Sequence, residues 1–371
     1  MIHTPLPQFL KTVLYATLAL CLSQAFTHQS QACTSVQLTA ADGSSVVART
    51  MDFEVDLHSY LKLFPRGETV QSIKPDGTPG MSFTSKYASF GIMSDMSKNA
   101  SYDAMNEKGL TFALQWLNAA GFPTTIPADN KAPVLEYDDF PRWILGQFAT
   151  VDEVKANLDT IALWAKPRQG IPGNILTVHV LLFDAQGKGL VIEYINGKMH
   201  VHDNPVGVVT NDPCFHWHLT NLSNYIQLNG IDTRNGQFGD LKITMLNHGN
   251  GDWGTPGDMT SVSRFVRMAI QRNQTVQPAN AQEAIARVSH LINNVDVVLG
   301  TVRTSAGPDA MMDSTSWTSL RDTRNSMYYI RCSSSVNFFS VDVKQLWNSK
   351  AVKETPIAVL QATGQSDVTS L

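Results

Sequence analysis

Hydrophobic and polar positions alternate from Ser35 to Ala40, break at Asp42-Gly43, and alternate again from Ser45 to Met51. A period of two marks a half-buried strand, because successive side chains point to opposite faces. Asp-Gly between two such runs predicts a hairpin closed by a two-residue turn. In that register Ser35 pairs with Thr50, Cys33 faces Asp52, and Arg49 has the opposite parity. Two further blocks, Ile175–Asn211 and Met327–Val343, read as antiparallel meanders with turns at Gln186-Gly187, Asn196-Gly197 and Asn204-Pro205.

Between these blocks the period lengthens. Asp139–Ala149 reads as helix, and Thr150-Val-Asp-Glu153 is a capping box that opens another, through about Leu158. Over Thr260–Gln271, residues Val262, Phe265, Val266, Ala269 and Ile270 share one face. Asn280-Ala-Gln-Glu283 caps a helix that buries Ala284, Ile285, Val288, Leu291 and Ile292. Strand blocks alternate with helix blocks, not with single helices, which predicts α+β layers over a doubly wound parallel sheet. Residues 33–371 are expected to form one large domain.

Composition narrows the classes. Of 371 residues, 43% are hydrophobic and 16% charged, which excludes a disordered chain and a coiled coil. The formal net charge of −4 carries no basic cluster, so nucleic acid is not an expected partner.

The first residues read as a targeting segment. Lys11 precedes an apolar run over residues 12–22, too short to span a bilayer and suited to the core of a secretory signal. Ser30-Gln31-Ala32 places small residues where a signal peptidase reads, so residues 1–32 are expected to be removed, with Cys33 left as the first residue. A cut near Ala25 is the bland alternative. No other apolar run reaches eighteen residues, so stable membrane insertion is not expected, and the location is periplasmic or secreted. Of the four cysteines, Cys21 leaves with the signal; Cys214 and Cys332 could pair, and sequence leaves that open.

An N-terminal cysteine carries two catalytic groups. Its thiolate is a good nucleophile, and an α-amine of pKa near 8 can take the thiol proton at neutral pH. A carboxylate such as Asp52 could orient the amine, and Arg49 near the thiol would favour the thiolate.

Cys33-Thr-Ser followed by Val47-Ala-Arg-Thr-Met-Asp52 resembles the start of the choloylglycine hydrolase family, N-terminal-nucleophile hydrolases that include conjugated bile acid hydrolases and penicillin V acylases. Met105-Asn-Glu-Lys-Gly-Leu110, Val208-Val-Thr-Asn-Asp-Pro213, Gly257-Asp258 with Ser263-Arg-Phe-Val-Arg267, Asn293-Asn-Val295 and Gly300-Thr-Val-Arg-Thr304 continue the likeness in order. The resemblance implies a four-layer αββα sandwich of two antiparallel sheets and hydrolysis of a non-peptide linear amide, without a cofactor. It implies Cys33 as nucleophile, Arg49 and Asp52 beside it, Asn211 as oxyanion donor, and Arg264 as a second active-site arginine. The substrate would be a small amphipathic amide, such as a conjugated bile salt, penicillin V or an acyl-homoserine lactone. A homotetramer is the family's habit. Where the family has Asn or Tyr, this sequence has Trp116, as in the Gram-negative branch, which suggests a rebuilt oxyanion hole using the amide after Cys33. Met51, Phe53, Trp116 and Trp164 are candidate pocket walls.

Two readings compete. Cys214-Phe-His-Trp-His218 spaces three possible zinc ligands two apart, on one face if the segment is a strand, and His200 and His202 repeat the spacing. No fourth ligand is indicated, so no metal is expected. A periplasmic small-molecule binding protein would explain export but not a thiol at a cleavage site.

Overall fold

The structure is a computed structural model and describes residues 32–95, 101–168, 174–303, 305–307, 310–363 and 369. The expected signal segment over residues 1–31, with Cys21, lies outside the described residues, as does Thr304.

The first hairpin forms, with one residue more in its loop than expected. Thr39 pairs with Ser45 and Ser35 with Arg49. Ala40 N donates to Ser44 O at 2.8 Å and Gly43 N to Ala40 O at 3.0 Å. These bonds enclose Ala41, Asp42 and Gly43. Gly43 has φ +83°, the left-handed conformation that a three-residue hairpin loop needs at its last position. The added residue shifts the register by one. Arg49 therefore shares the face of Ser35 and Cys33, and no bulge is needed to bring it there. Cys33 continues toward Met51, not Asp52.

Among the described residues, one antiparallel sheet runs Val208–Val209, Thr34–Thr39, Ser45–Phe53, Met312–Asp322, Met327–Cys332 and Phe339–Asp342, with Val302–Arg303 beside Met312–Asp322. The second runs Lys198–Asp203, Gly189–Ile195, Val178–Phe183, Thr111–Trp116, Asp103–Asn106, Ser89–Met93, Tyr60–Phe64 and Lys353–Pro356. Both central hairpin strands are buried along almost their whole length, as strands covered on two sides must be.

Helices cover the outer faces. Ser261–Gln274 and Ala281–Asn293 pack on the first sheet, where Phe265, Met268, Ala284, Val288 and Ile292 meet Val36, Val46 and Ala48. Phe140–Gln147 and Val151–Asn157 pack on the second, burying Trp143, Ile144, Val151 and Val154 against Phe112, Leu114, Val180 and Ile192. Each large apolar side chain so buried contributes about 1.5–3 kcal/mol. Both predicted caps form reciprocally: Thr150 accepts from Glu153 N while Glu153 accepts from Ala149 N, and Asn280 and Glu283 repeat the arrangement with Ala279. The order helices, sheet, sheet, helices is the expected αββα sandwich. Between the sheets Met51, Leu63, Phe90, Ile92, Trp317, Tyr328 and Ile330 form a third core that ends at Cys33.

The Cys214–His218 segment, whose possible ligands would share a face only as a strand, is not one. Phe215–Asn221 is helical, with Cys214 as its N-cap, so residues two apart do not share a face there. No disulfide joins Cys214 to Cys332.

Candidate active site

Cys33 stands at the head of the strand Thr34–Thr39 and is only 3% exposed. Its Sγ lies 3.6 Å from Arg49 Nη2, 3.8 Å from Met51 Sδ and 4.0 Å from the Asp52 carbonyl oxygen. Burial pushes the thiol pKa above its usual value, and the Arg49 charge only partly opposes this. The thiol is thus protonated at neutral pH and needs a base to become a nucleophile.

Arg49 is fully buried and held from three sides. Nη1 donates to Tyr102 O and Nη2 to Leu114 O, each at 2.6 Å, and the guanidinium lies 5.2 Å over the Trp317 ring. Its carboxylate neighbour is Asp103, at 3.9 Å, which also meets the buried Arg321 at 3.0 Å and accepts from Tyr328 at 2.5 Å. Arg49 and Asp52 are therefore not an ion pair. They flank Cys33 on opposite faces of one strand.

Asp52 accepts hydroxyl hydrogens from Thr50 at 3.0 Å and Thr315 at 2.5 Å. The skipped residue opposite Met51 and Asp52, a bulge at Ser316, places Thr315 directly across from Asp52. Burial raises the Asp52 carboxyl pKa to about 7, against the pull of Arg264 and the Thr315 hydroxyl.

Asn211 and Arg264 complete the cluster. Cys33 N donates to Asn211 Oδ1 at 2.8 Å, and Arg264 Nη2 donates to the same oxygen at 2.9 Å. Asn211 Nδ2 donates to Trp116 O, its N to Ser261 Oγ, and its carbonyl accepts from His218 Nε2 at 3.0 Å. Neutral His218 suits that role: burial lowers its pKa to about 4. Arg264 sits in the first turn of Ser261–Gln274, donates through Nη1 to Cys33 O at 2.7 Å, and also reaches Thr34 Oγ1. The helix start is fixed by Thr260 and Asp258, which bind Ser263.

The four other expected residues, Arg49, Asp52, Asn211 and Arg264, thus converge on Cys33. Two details of the oxyanion reading do not survive. The amide after Cys33, Thr34 N, donates to Thr50 Oγ1 at 3.1 Å, and the Trp116 indole N–H donates to Asn118 Oδ1 at 2.7 Å. Neither is free to meet an oxyanion; the second Nδ2 hydrogen of Asn211 remains. The pocket walls also divide. Phe53 lines a cavity of about 1040 Å³ with Leu57, Tyr60, Trp317 and Ile357. Met51 lies under the thiol, Trp116 is half-buried beside Asn211, and Trp164 is buried in its short strand and donates to Ile73 O. Trp164 is a core residue, because its only polar side-chain atom is anchored inside the fold.

Sequence reasoning missed Thr50, Asp103, Asp313 and Thr315. Thr50 sat inside the Val47–Asp52 motif, and its hydroxyl was the available signal. Thr315, with Asp313 two residues before it, reaches the site through pairing of its strand with Ser45–Phe53, and Asp103 meets Arg49 from the second sheet.

Comparison with known proteins agrees with this geometry. The family of linear amide C–N hydrolases known as choloylglycine hydrolases matches residues 33–353, a span that opens on Cys33. A bile salt hydrolase/transferase of Clostridium perfringens is 31% identical over 80% of this chain and 88% of its own. A penicillin V acylase of Pectobacterium atrosepticum is 29% identical over 81% and 77%. Among solved structures, a conjugated bile acid hydrolase variant from Clostridium perfringens superposes with TM-score 0.75 at 28% identity, covering 87% of this chain and 96% of the other. Penicillin V acylase from Agrobacterium tumefaciens gives TM-score 0.70 at 28% identity, covering 87% and 91%. This chain belongs to the choloylglycine hydrolase family of linear amide C–N hydrolases.

Proposed function

We propose that Cys33, freed by cleavage after Ala32 during export to the periplasm or medium, is the nucleophile for hydrolysis of a conjugated bile salt or of penicillin V. The observation that carries the reading is the convergence of Arg49, Asn211 and Arg264 on one buried cysteine. The thiol is not ionised by its surroundings, so a base must act, and a free α-amine would sit on the same residue.

In this mechanism the amine takes the thiol proton and Sγ attacks the amide carbon. The carbonyl oxygen gains charge and receives the second Nδ2 hydrogen of Asn211. The tetrahedral adduct collapses, the C–N bond breaks, and the leaving amine departs with the proton from the α-ammonium. Water, deprotonated by the amine, then attacks the thioester; the acid leaves and the thiol is restored. Trp116 and Phe53 would bound the acyl group.

Self-association is part of the proposal. The hairpin Asn235–Phe238 with Leu241–Thr244 stands exposed and carries Phe238, Leu241 and Ile243, an apolar surface suited to a second copy.

The test is hydrolysis of a glycine-conjugated bile salt, penicillin V and an acyl-homoserine lactone, in parallel, by the chain beginning at Cys33 and by its Cys33→Ser variant. Turnover of the first or second, lost in the variant, is expected. Turnover of the lactone alone, or full activity in Cys33→Ser, would refute the reading.

A further inference from the structure

Asp313 is 3% exposed, and neither of its carboxylate oxygens has a hydrogen-bond partner among the described residues. It follows from the pairing of Ser314 with Phe53 and Thr315 with Asp52 that Asp313 continues the site's own strand one step further out. The groups that face it are Arg264, the half-buried Glu54 and the amides of Ser314 and Ala32. Arg264 in turn feels Asp52, Cys33, Asp313 and, one turn along its helix, Arg267.

The charges here do not balance while Cys33 is internal. Asp52 and Asp313 repel one another and share Arg264, whose guanidinium is already committed to Cys33 O, Thr34 and Asn211. Asp52 has two hydroxyl donors, whereas Asp313 has none. Cleavage at Ala32 removes the nearby Ala32 amide and creates a cation on Cys33 N. The two nitrogens are one residue apart, at most about 3.6 Å. A positive charge therefore arises beside a buried carboxylate to which no side chain donates among the described residues.

We propose that Asp313 is the counter-charge of the Cys33 α-ammonium in the cleaved enzyme, holding the amine that serves as base. The inference rests on the cleavage assigned above, and it makes Asp313 a determinant of two forms of the chain in opposite senses. With Cys33 internal, Asp313 is a buried charge that no side chain hydrogen-bonds and that must share Arg264 with Asp52, which destabilises the fold. With Cys33 first, it is one half of a buried pair.

The experiment compares Asp313→Asn in the chain beginning at Cys33 and in a chain beginning at His28, in which Cys33 N and Ala32 N are both peptide nitrogens. In the longer chain the variant is expected to raise Tm by about 2–4 °C. In the shorter chain it is expected to lower Tm and to move the acid limb of kcat/KM down by about one pH unit, because loss of a neighbouring carboxylate lowers an amine pKa. Asp313→Glu should restore the limb. A variant that lowers Tm in both forms, or fails to fold in the longer one, overturns the proposal, as does an unmoved acid limb. Cys33→Ser in the shorter chain tests the nucleophile separately, and the Tm comparison does not depend on it.

Discussion

Asn211 holds the Cys33 nitrogen at 2.8 Å through its side-chain carbonyl, which turns its amide group the other way, toward Trp116 O at 2.9 Å. One Nδ2 hydrogen is used there and one is left. Asn211→Asp keeps an acceptor for the Cys33 nitrogen and removes the donor. Removal of one oxyanion donor lowers kcat by about 100- to 1000-fold in other hydrolases. The same fall is expected here, with KM within a few-fold, read from initial rates on penicillin V or a bile salt. A loss of less than tenfold would mean the oxyanion is held elsewhere.

Trp116 gives a contrasting outcome. Its indole N–H is committed to Asn118, and what it contributes to Asn211 is its backbone carbonyl. Trp116→Phe retains that carbonyl and most of the ring surface. It should lower kcat by less than about tenfold, the range of an altered packing contact rather than a lost oxyanion donor. The assay run on both substrates reads it, and a fall equal to that of Asn211→Asp would assign the indole a direct role.

The amine is tested by blocking it. A chain that keeps one residue ahead of Cys33 has an amide where the base should be, and an amide does not accept a proton near neutral pH. Activity should fall below detection while the fold persists, verified by intact mass and a thermal melt. Full turnover by a chain whose mass confirms the extra residue would end the mechanism.

Much of this site was legible because its residues lie on short, strongly patterned segments. The hairpin, both capping boxes and the helix carrying Arg264 follow from local alternation, turn chemistry and caps. The hairpin register was not legible. Asp-Gly fits a two-residue turn as well as the last two positions of a three-residue loop, and the choice lies in Gly43 adopting φ +83°. That single residue decides whether Cys33 faces Met51 or Asp52. Helix Phe215–Asn221 could not be assigned from sequence because alternating aromatic and histidine residues fit both periods; in the structure it is a helix whose His218 reaches Asn211 O. Asp103 and Asp313 were invisible because Asp103 meets Arg49 across the two sheets and Asp313 sits beside a strand pairing that joins residues far apart in sequence.

Arg49 makes a second kind of demand. Its guanidinium satisfies two carbonyls at once while lying over Trp317, a planar fork that an ammonium cannot copy. Arg49→Lys should leave Tyr102 O or Leu114 O unsatisfied and destabilise the fold by about 1–3 kcal/mol. The thiolate formed during turnover would also lose its nearest cation. A lowered urea midpoint together with a fall in kcat is expected; an unchanged midpoint would show that the carbonyls find another donor.

Asp52 ties stability to pH. Its carboxyl pKa stands at about 7 with Cys33 internal, against about 3.9 in an unfolded chain. Between those values the folded state holds a proton that the unfolded state has released. Stability is therefore fully present below about pH 4 and declines as pH rises toward 7, by on the order of 4 kcal/mol at most. Asp313, raised to about 6, acts in the same direction. The uncleaved chain should melt at a higher temperature at pH 5 than at pH 8, and Asp52→Asn should remove most of that difference. In a cleaved chain a new α-ammonium would favour both carboxylates and should narrow the window. Melting curves of both forms at the two pH values measure this, and an equal slope in the Asp52→Asn variant would show that another group carries it.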